Sequence, residues 1–169
     1  VVTCFKDIRQ VIGSAFEFLV PGGYLEFKDG IFPPSYAEPP PADSAFVKWI
    51  TIILEEVEKA GRPWTKAKYY ANYMRDVGFV DVIEHKTTLA AGPWPEDEKG
   101  KKLGRWHLTN WLQVVDALTP KILANAGWDE EEIKVLVALV RSELTGGKIK
   151  VYNEMIGVWG RKPPIMEDK

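Results

Sequence analysis

Apolar residues at Phe5, Ile8, Ile12, Phe16 and Leu19 recur at spacings of three and four. That period predicts an amphipathic helix over residues 5–19, weakened at Gly13. Val20-Pro21-Gly22-Gly23 stops it and turns the chain. From Tyr24 to Lys28 (YLEFK) the large residues alternate with charges, so a short strand follows. Helix, turn and strand form an αβ unit, the building block of a layered α/β domain. Residues 33–41 (PPSYAEPPP) hold five of the 12 prolines. Such a segment is neither helix nor inner strand and reads as an exposed, stiff connection.

Asp43 is placed to N-cap a helix over 44–60, whose apolar face is Phe46, Trp49, Ile50, Ile53, Leu54 and Val57 and which ends at Gly61 before Pro63. A second helix is expected from Thr65 to Gly78, with Trp64 and Tyr69 positioned as a hydrophobic staple. The β-branched alternation of residues 79–88 (FVDVIEHKTT) predicts a strand and completes a second αβ unit. Gly92-Pro93-Trp94-Pro95 is a rigid turn. Beyond it, Leu103 to Leu118 reads as a helix carrying Trp106, Leu108, Trp111, Leu112 and Val115, and Thr119-Pro120 restarts it as a short new helix. Trp128-Asp129-Glu130-Glu131-Glu132-Ile133 is a helix start, with Asp129 as cap and Glu132 as its capping-box partner. The acidic run suits the positive end of the helix dipole. That helix buries Ile133, Leu136, Val137, Val140 and Leu144 and breaks at Gly146-Gly147; a last strand spans Ile149 to Trp159, before a polar tail.

Composition narrows the class. The 169 residues are 46% hydrophobic and 27% charged, enough for a real core. With 22 Lys+Arg against 24 Asp+Glu the net charge is −2, which lacks the basic footprint of a dedicated nucleic-acid binder. The longest strongly apolar run, Val135 to Val140, is far too short to span a bilayer, and the N-terminus shows no signal peptide. Cys4 is the single cysteine, so there is no internal disulfide and no Cys-rich zinc site. These features read as a soluble, intracellular chain, cytoplasmic or nuclear. The Val-Val start without Met suggests a piece of something longer.

Chemistry is sparse. No G-x-G-x-x-G, P-loop, H-E-x-x-H or G-x-S-x-G motif occurs, and no metal constellation stands out. His85, in a strand, reads as structural or exposed. His107 lies among Arg105, Trp106 and Trp111 at a helix start, where an imidazole in an aromatic cleft could act as a general base. Core packing explains most of the seven tryptophans, although several could line an apolar pocket. Unaided, these residues describe an α/β domain with an aromatic-rich helical cap.

A set of segments carries more: FLVPGGYLEF (18–27), EKAGRPW (58–64), YMRDVGFVDV (73–82), GPWP (92–95), LGRWHL (103–108), GWDEEE (127–132) and VWGRKP (158–163). In order and spacing they resemble the C-terminal half of the fungal LaeA-like S-adenosylmethionine-dependent methyltransferases, over almost the whole chain. The later segments, from GPWP to GWDEEE, are the more specific. The resemblance implies an α/β fold, the C-terminal part of a Rossmann-like class I methyltransferase sheet. Tyr24–Lys28 would be its fifth strand, Phe79–Thr88 the sixth, and Ile149–Trp159 the antiparallel seventh lying between them. Residues 1–169 would form the C-terminal portion of one methyltransferase domain, with a helical insertion over about 99–146. Such insertions cover the substrate, which makes Asp29, Phe32, Trp49, Trp106, His107 and Trp111 candidate acceptor-side residues, with His107 as candidate base.

The Gly-rich loop and ribose-binding carboxylate with which such enzymes hold S-adenosylmethionine have no counterpart in this sequence. The resemblance thus implies a parent enzyme that methylates a small molecule of secondary metabolism, its cofactor held by an N-terminal half outside this segment. That half, or a dimer partner, is expected along the Tyr24–Lys28 edge. The alternative is a complete remnant of the fold, acting as a cofactor-free cyclase or as a non-catalytic binding or regulatory protein.

Overall fold

A computed structural model describes residues 4–164. Its elements run α1 (Ile8–Phe18), β1 (Tyr24–Gly30), β2 (Ser35–Tyr36), α2 (Ala45–Lys59), a 3-10 segment (Trp64–Tyr69), α3 (Tyr70–Val77), β3 (Val80–Ala90), α4 (Glu98–Asn125), α5 (Glu130–Thr145) and β4 (Val151–Arg161). The chain divides into two compact units: residues 1–32, 62–87 and 155–169, and residues 33–61 and 88–154.

In the first unit β4 runs antiparallel to β1, with Tyr24 opposite Arg161 and Gly30 opposite Met155, and β3 also pairs with β4. The sheet order is therefore β1–β4–β3, as expected for fifth, seventh and sixth strands. Its inner face buries Phe27, Ile156 and Val158 against Ile8 and Ile12 of α1 and Tyr70, Ala71 and Met74 of α3. The other face of β1 presents Tyr24, Glu26 and Lys28, all exposed. Among the described residues β1 has β4 on one edge and no strand on the other. The end of α1 is finished from far along the chain. Lys162 donates its ammonium to the carbonyls of Glu17 (3.1 Å) and Leu19 (2.8 Å), groups that a helix end otherwise leaves orphaned.

The second unit packs α2, α4 and α5 on one another. Phe46, Trp49 and Ile53 from α2, Trp111, Val115 and Leu123 from α4, and Leu136, Val140 and Leu144 from α5 are all buried. The sequence reading needs several corrections. Ser44, not Asp43, caps α2, accepting from the Val47 N–H. Glu143 of α5 adds its carboxylate there, taking the Ser44 hydroxyl and the Ala45 N–H at 2.8 Å each and the Phe46 N–H at 3.0 Å. Helix α4 opens five residues before the expected start, at Glu98, because Asp97 caps it through the Gly100 N–H. It also runs unbroken through Pro120. Trp111, Val115, Thr119 and Leu123 form a buried stripe spaced by four, and the Trp49 indole N–H donates to Thr119 Oγ1 at 2.8 Å. That packing outweighs the single hydrogen bond a proline removes.

The remaining differences are smaller. The proline-rich connection supplies Ser35–Tyr36 as a short antiparallel strand beside Tyr152 and Val151. In the first unit, Trp64 is buried against Phe32 while Tyr69 stacks near Tyr73, so the expected staple gives way to a 3-10 turn and α3 starts at Tyr70. Strand β4 sits two residues later than expected, since its pairing with β1 extends to Arg161.

Candidate functional site

The six candidate residues divide between the units. In the first unit Asp29, one residue before the end of β1, is buried, and its carboxylate accepts a 2.8 Å hydrogen bond from the Tyr70 hydroxyl. Tyr70 itself is fully buried. Burial first, then the Asp29 charge and hydrogen bond, push its phenol well above the ordinary range, so it stays a neutral donor. Phe32 packs on Trp64, ring centroids 5.3 Å apart.

The second unit holds the other four, with three in contact along one side. Trp49 and Trp111 are buried, their rings 6.0 Å apart and edge-on, each packed on Phe46. One turn back on α4, His107 accepts the Trp111 indole N–H at Nε2, 3.1 Å away. An indole nitrogen only donates, so the neutral imidazole must carry its proton on Nδ1. Burial lowers the His107 pKa below its ordinary value, which favours that neutral form. Trp106 points elsewhere: it is 67% exposed, with the Lys102 ammonium 6.0 Å from its ring.

The GPWP turn belongs to the same unit and is held by two glycines. A Cβ on Gly104 of α4 would lie 2.0 Å from the Gly92 carbonyl oxygen, and a Cβ on Gly92 would strike the Trp94 ring. The helix therefore rests directly on the turn and fixes the indole. Trp94, Leu108, Leu144, Thr145 and Lys150 line a cavity of about 260 Å³. Tyr70, Glu143 and Thr119 were not legible as functional partners in the sequence, because each acts on a residue at least 41 positions away.

The N-terminus of α2, which follows β2, has its free N–H groups taken by Glu143 and Ser44. No G-x-G occurs in the chain. That turn thus does not form the glycine-lined cradle that an adenosyl cofactor needs.

No protein-family profile matches the chain. Among curated proteins it is 30% identical over 159 residues to the "Probable methyltransferase tdiE" of Emericella nidulans, covering 93% of this chain and 50% of that protein. It is 27% identical over 161 residues to the methyltransferase pytC of Aspergillus terreus, covering 94% of this chain and 49% of that one. The chain is a relative of the fungal LaeA-like methyltransferases. The "Secondary metabolism regulator laeA" of Aspergillus flavus is 25% identical over 150 residues, with 88% of this chain and 41% of that protein aligned. The chain spans about half the length of the tdiE and pytC proteins, 50% and 49%. Among the described residues no helix is long and apolar enough to cross a membrane.

Proposed function

We propose that this chain is the C-terminal, acceptor-side part of an S-adenosylmethionine-dependent methyltransferase acting on a small molecule of fungal secondary metabolism. The observation that carries the reading is the likeness to tdiE, which aligns 93% of this chain with 50% of a protein named for methyl transfer. The order β1–β4–β3 and the unpaired edge of β1 support it. An edge strand with free N–H and C=O groups invites a further strand. That strand would come from the N-terminal half of the longer polypeptide, which would also hold the cofactor, or from a dimer partner.

In this reading the helices α4 and α5 act as the lid over the acceptor. Trp106 and His107 contact it, with Trp111, itself packed on Trp49, holding the imidazole. His107 is the candidate base. It accepts a proton at Nε2 only by giving up the Trp111 bond, so its role in the resting state is that of a neutral Nδ1–H donor orienting an acceptor oxygen. Catalysis then rests chiefly on alignment, with the base as a smaller contribution.

Methyl-labelled S-adenosylmethionine, incubated with the longer polypeptide and a fungal small-molecule extract, tests this reading. Label in organic-soluble product, reduced by His107→Ala and Trp106→Ala, is expected. Label found only in protein would favour the regulatory reading, which the likeness to laeA suggests.

A further inference from the structure

The indole N–H of Trp94 is buried and, among the described residues, meets no hydrogen-bond acceptor. Buried donors are nearly always paired, so an orphan of this kind calls for an acceptor from elsewhere. The ring is not free to turn and find one. A Cβ on Gly92 would strike Cζ3, Cε3 and Cη2, which seats the six-membered ring on the Gly92 backbone and leaves Nε1 at the far edge. Tyr152 packs at right angles to the same indole, centroids 6.1 Å apart. Trp94 is also one wall of the cavity of about 260 Å³ that it shares with Leu108, Leu144 and the Gly146-Gly147 backbone. We propose that this cavity binds a small, uncharged, mainly apolar molecule bearing a ketone or ester carbonyl, whose oxygen accepts the Trp94 N–H.

The lining decides the class of ligand. Trp94, Leu108 and Leu144 make the walls apolar, and the volume lies just under the usual range for drug-sized ligands, about 300–1,000 Å³, so the ligand is a small one. The polar side chains of the lining are engaged within the chain. Thr145 donates its hydroxyl to the Arg141 carbonyl at 2.8 Å, and the Lys150 ammonium pairs with Glu38 at 3.1 Å. With that charge balanced, and no carboxylate in the lining, the cavity selects neither an anion nor a cation. An indole nitrogen only donates, so the ligand must accept. A carbonyl oxygen is an acceptor that brings no charge and little polar surface into such a place. Nε1 is closed to water. An acceptor therefore reaches it as part of a body that wedges beside the ring, which favours a molecule that fills the cavity over solvent. The Gly146-Gly147 side stays open, since a Cβ on Gly147 would meet nothing within 4 Å.

Nitrogen–proton NMR of the isotope-labelled chain, and of the longer polypeptide, tests this with two probes. One is acetophenone; the other is ethylbenzene, which has nearly the same shape and no carbonyl. The Trp94 indole resonance is the one that Trp94→Phe removes. Acetophenone is expected to move it saturably, and ethylbenzene to bind roughly tenfold more weakly, as the loss of one hydrogen bond implies. Leu108→Phe fills the cavity and should abolish the shift, with circular dichroism melts verifying the fold. Gly147→Asn narrows the cavity from its other side, at a left-handed backbone conformation that asparagine tolerates, and should weaken binding too. A Trp94 resonance that acetophenone leaves in place overturns the proposal. So does an equal response to both probes, or a shift that survives both cavity-filling variants. The readout needs no methyl transfer, so its failure is distinguishable from failure of the acceptor-side reading.

Discussion

Nε2 of His107 accepts the indole N–H of Trp111, one helical turn further along α4, at 3.1 Å. The bond decides the tautomer, holds the ring against its neighbour and ties any proton uptake at Nε2 to loss of that contact. With burial lowering its pKa, the folded chain disfavours the imidazolium that the unfolded chain accepts. Stability from this residue is therefore complete above the unfolded value of about 6.5 and is lost as pH falls below it. Trp111→Phe removes the donor and should raise the His107 pKa toward that value. Long-range nitrogen–proton NMR across a pH titration reads both the Nδ1–H tautomer and the pKa.

Glu143 fastens α5 to the start of α2. Burial pushes its carboxyl pKa up, but the N–H groups of Phe46 and Ala45, the Ser44 hydroxyl and the Lys148 charge together bring it below the usual carboxylate value. A depressed carboxylate stabilises the fold above its unfolded pKa of about 4.3, and that stability disappears as pH falls through the folded value. Glu143→Gln presents an amide N–H₂ to backbone donors and should cost about 1–3 kcal/mol at pH 7. Urea unfolding of both proteins should show the gap closing at low pH.

Two helical glycines should respond oppositely to alanine. At Gly104 the new methyl meets the Gly92 carbonyl, so Gly104→Ala should destabilise by about 1–3 kcal/mol or more. At Gly13 of α1 a Cβ meets nothing within 4 Å, so Gly13→Ala should stabilise by about 0.5–1 kcal/mol. Thermal melts of the two variants side by side test the contrast.

The buried Trp49–Thr119 hydrogen bond carries α4 past its proline. Thr119→Val keeps the shape and strands the indole N–H, for an expected loss of about 1–3 kcal/mol. Thr119→Ser should retain most of the stability, as chemical denaturation would show.

What the sequence made legible was what neighbouring residues decide. The capping box of Asp129 and Glu132 forms as expected, with the Glu132 N–H on Asp129 at 2.8 Å and the return bond at 3.3 Å. So do the apolar face of α2, that of α1 from Ile8 onward, and strands β1 and β3, whereas Phe5 lies before α1 and is exposed. The start of α4 was missed although its cap, Asp97 on the Gly100 N–H, is local; the other misreadings arose where a distant residue cast the deciding interaction. Glu143 and Ser44 together displaced Asp43 as the start of α2. Tyr24, pairing with Arg161, drew β4 past its expected end. Lys162 looked like polar tail and proved to be the cap of α1.

The candidate site was legible in composition and less so in placement. That Trp106 and Trp111 share one unit with His107 follows the sequence order, but that Trp49 joins them across the intervening residues 62–87, and which of the three is buried, does not. A helix spaces them by its period, and only the packing of α2 against α4 sorts Trp111 inward and leaves Trp106 outside. The partner of Asp29 was hidden for the same reason, since Tyr70 reaches it from another element.

We propose that this chain supplies the acceptor side of a methyltransferase whose cofactor site lies in sequence outside it. Calorimetric titration of S-adenosylhomocysteine into this chain and into the longer polypeptide tests it most directly. Saturable binding by the longer polypeptide and none by the chain alone is the expected result. Saturable binding by these 169 residues alone would contradict it.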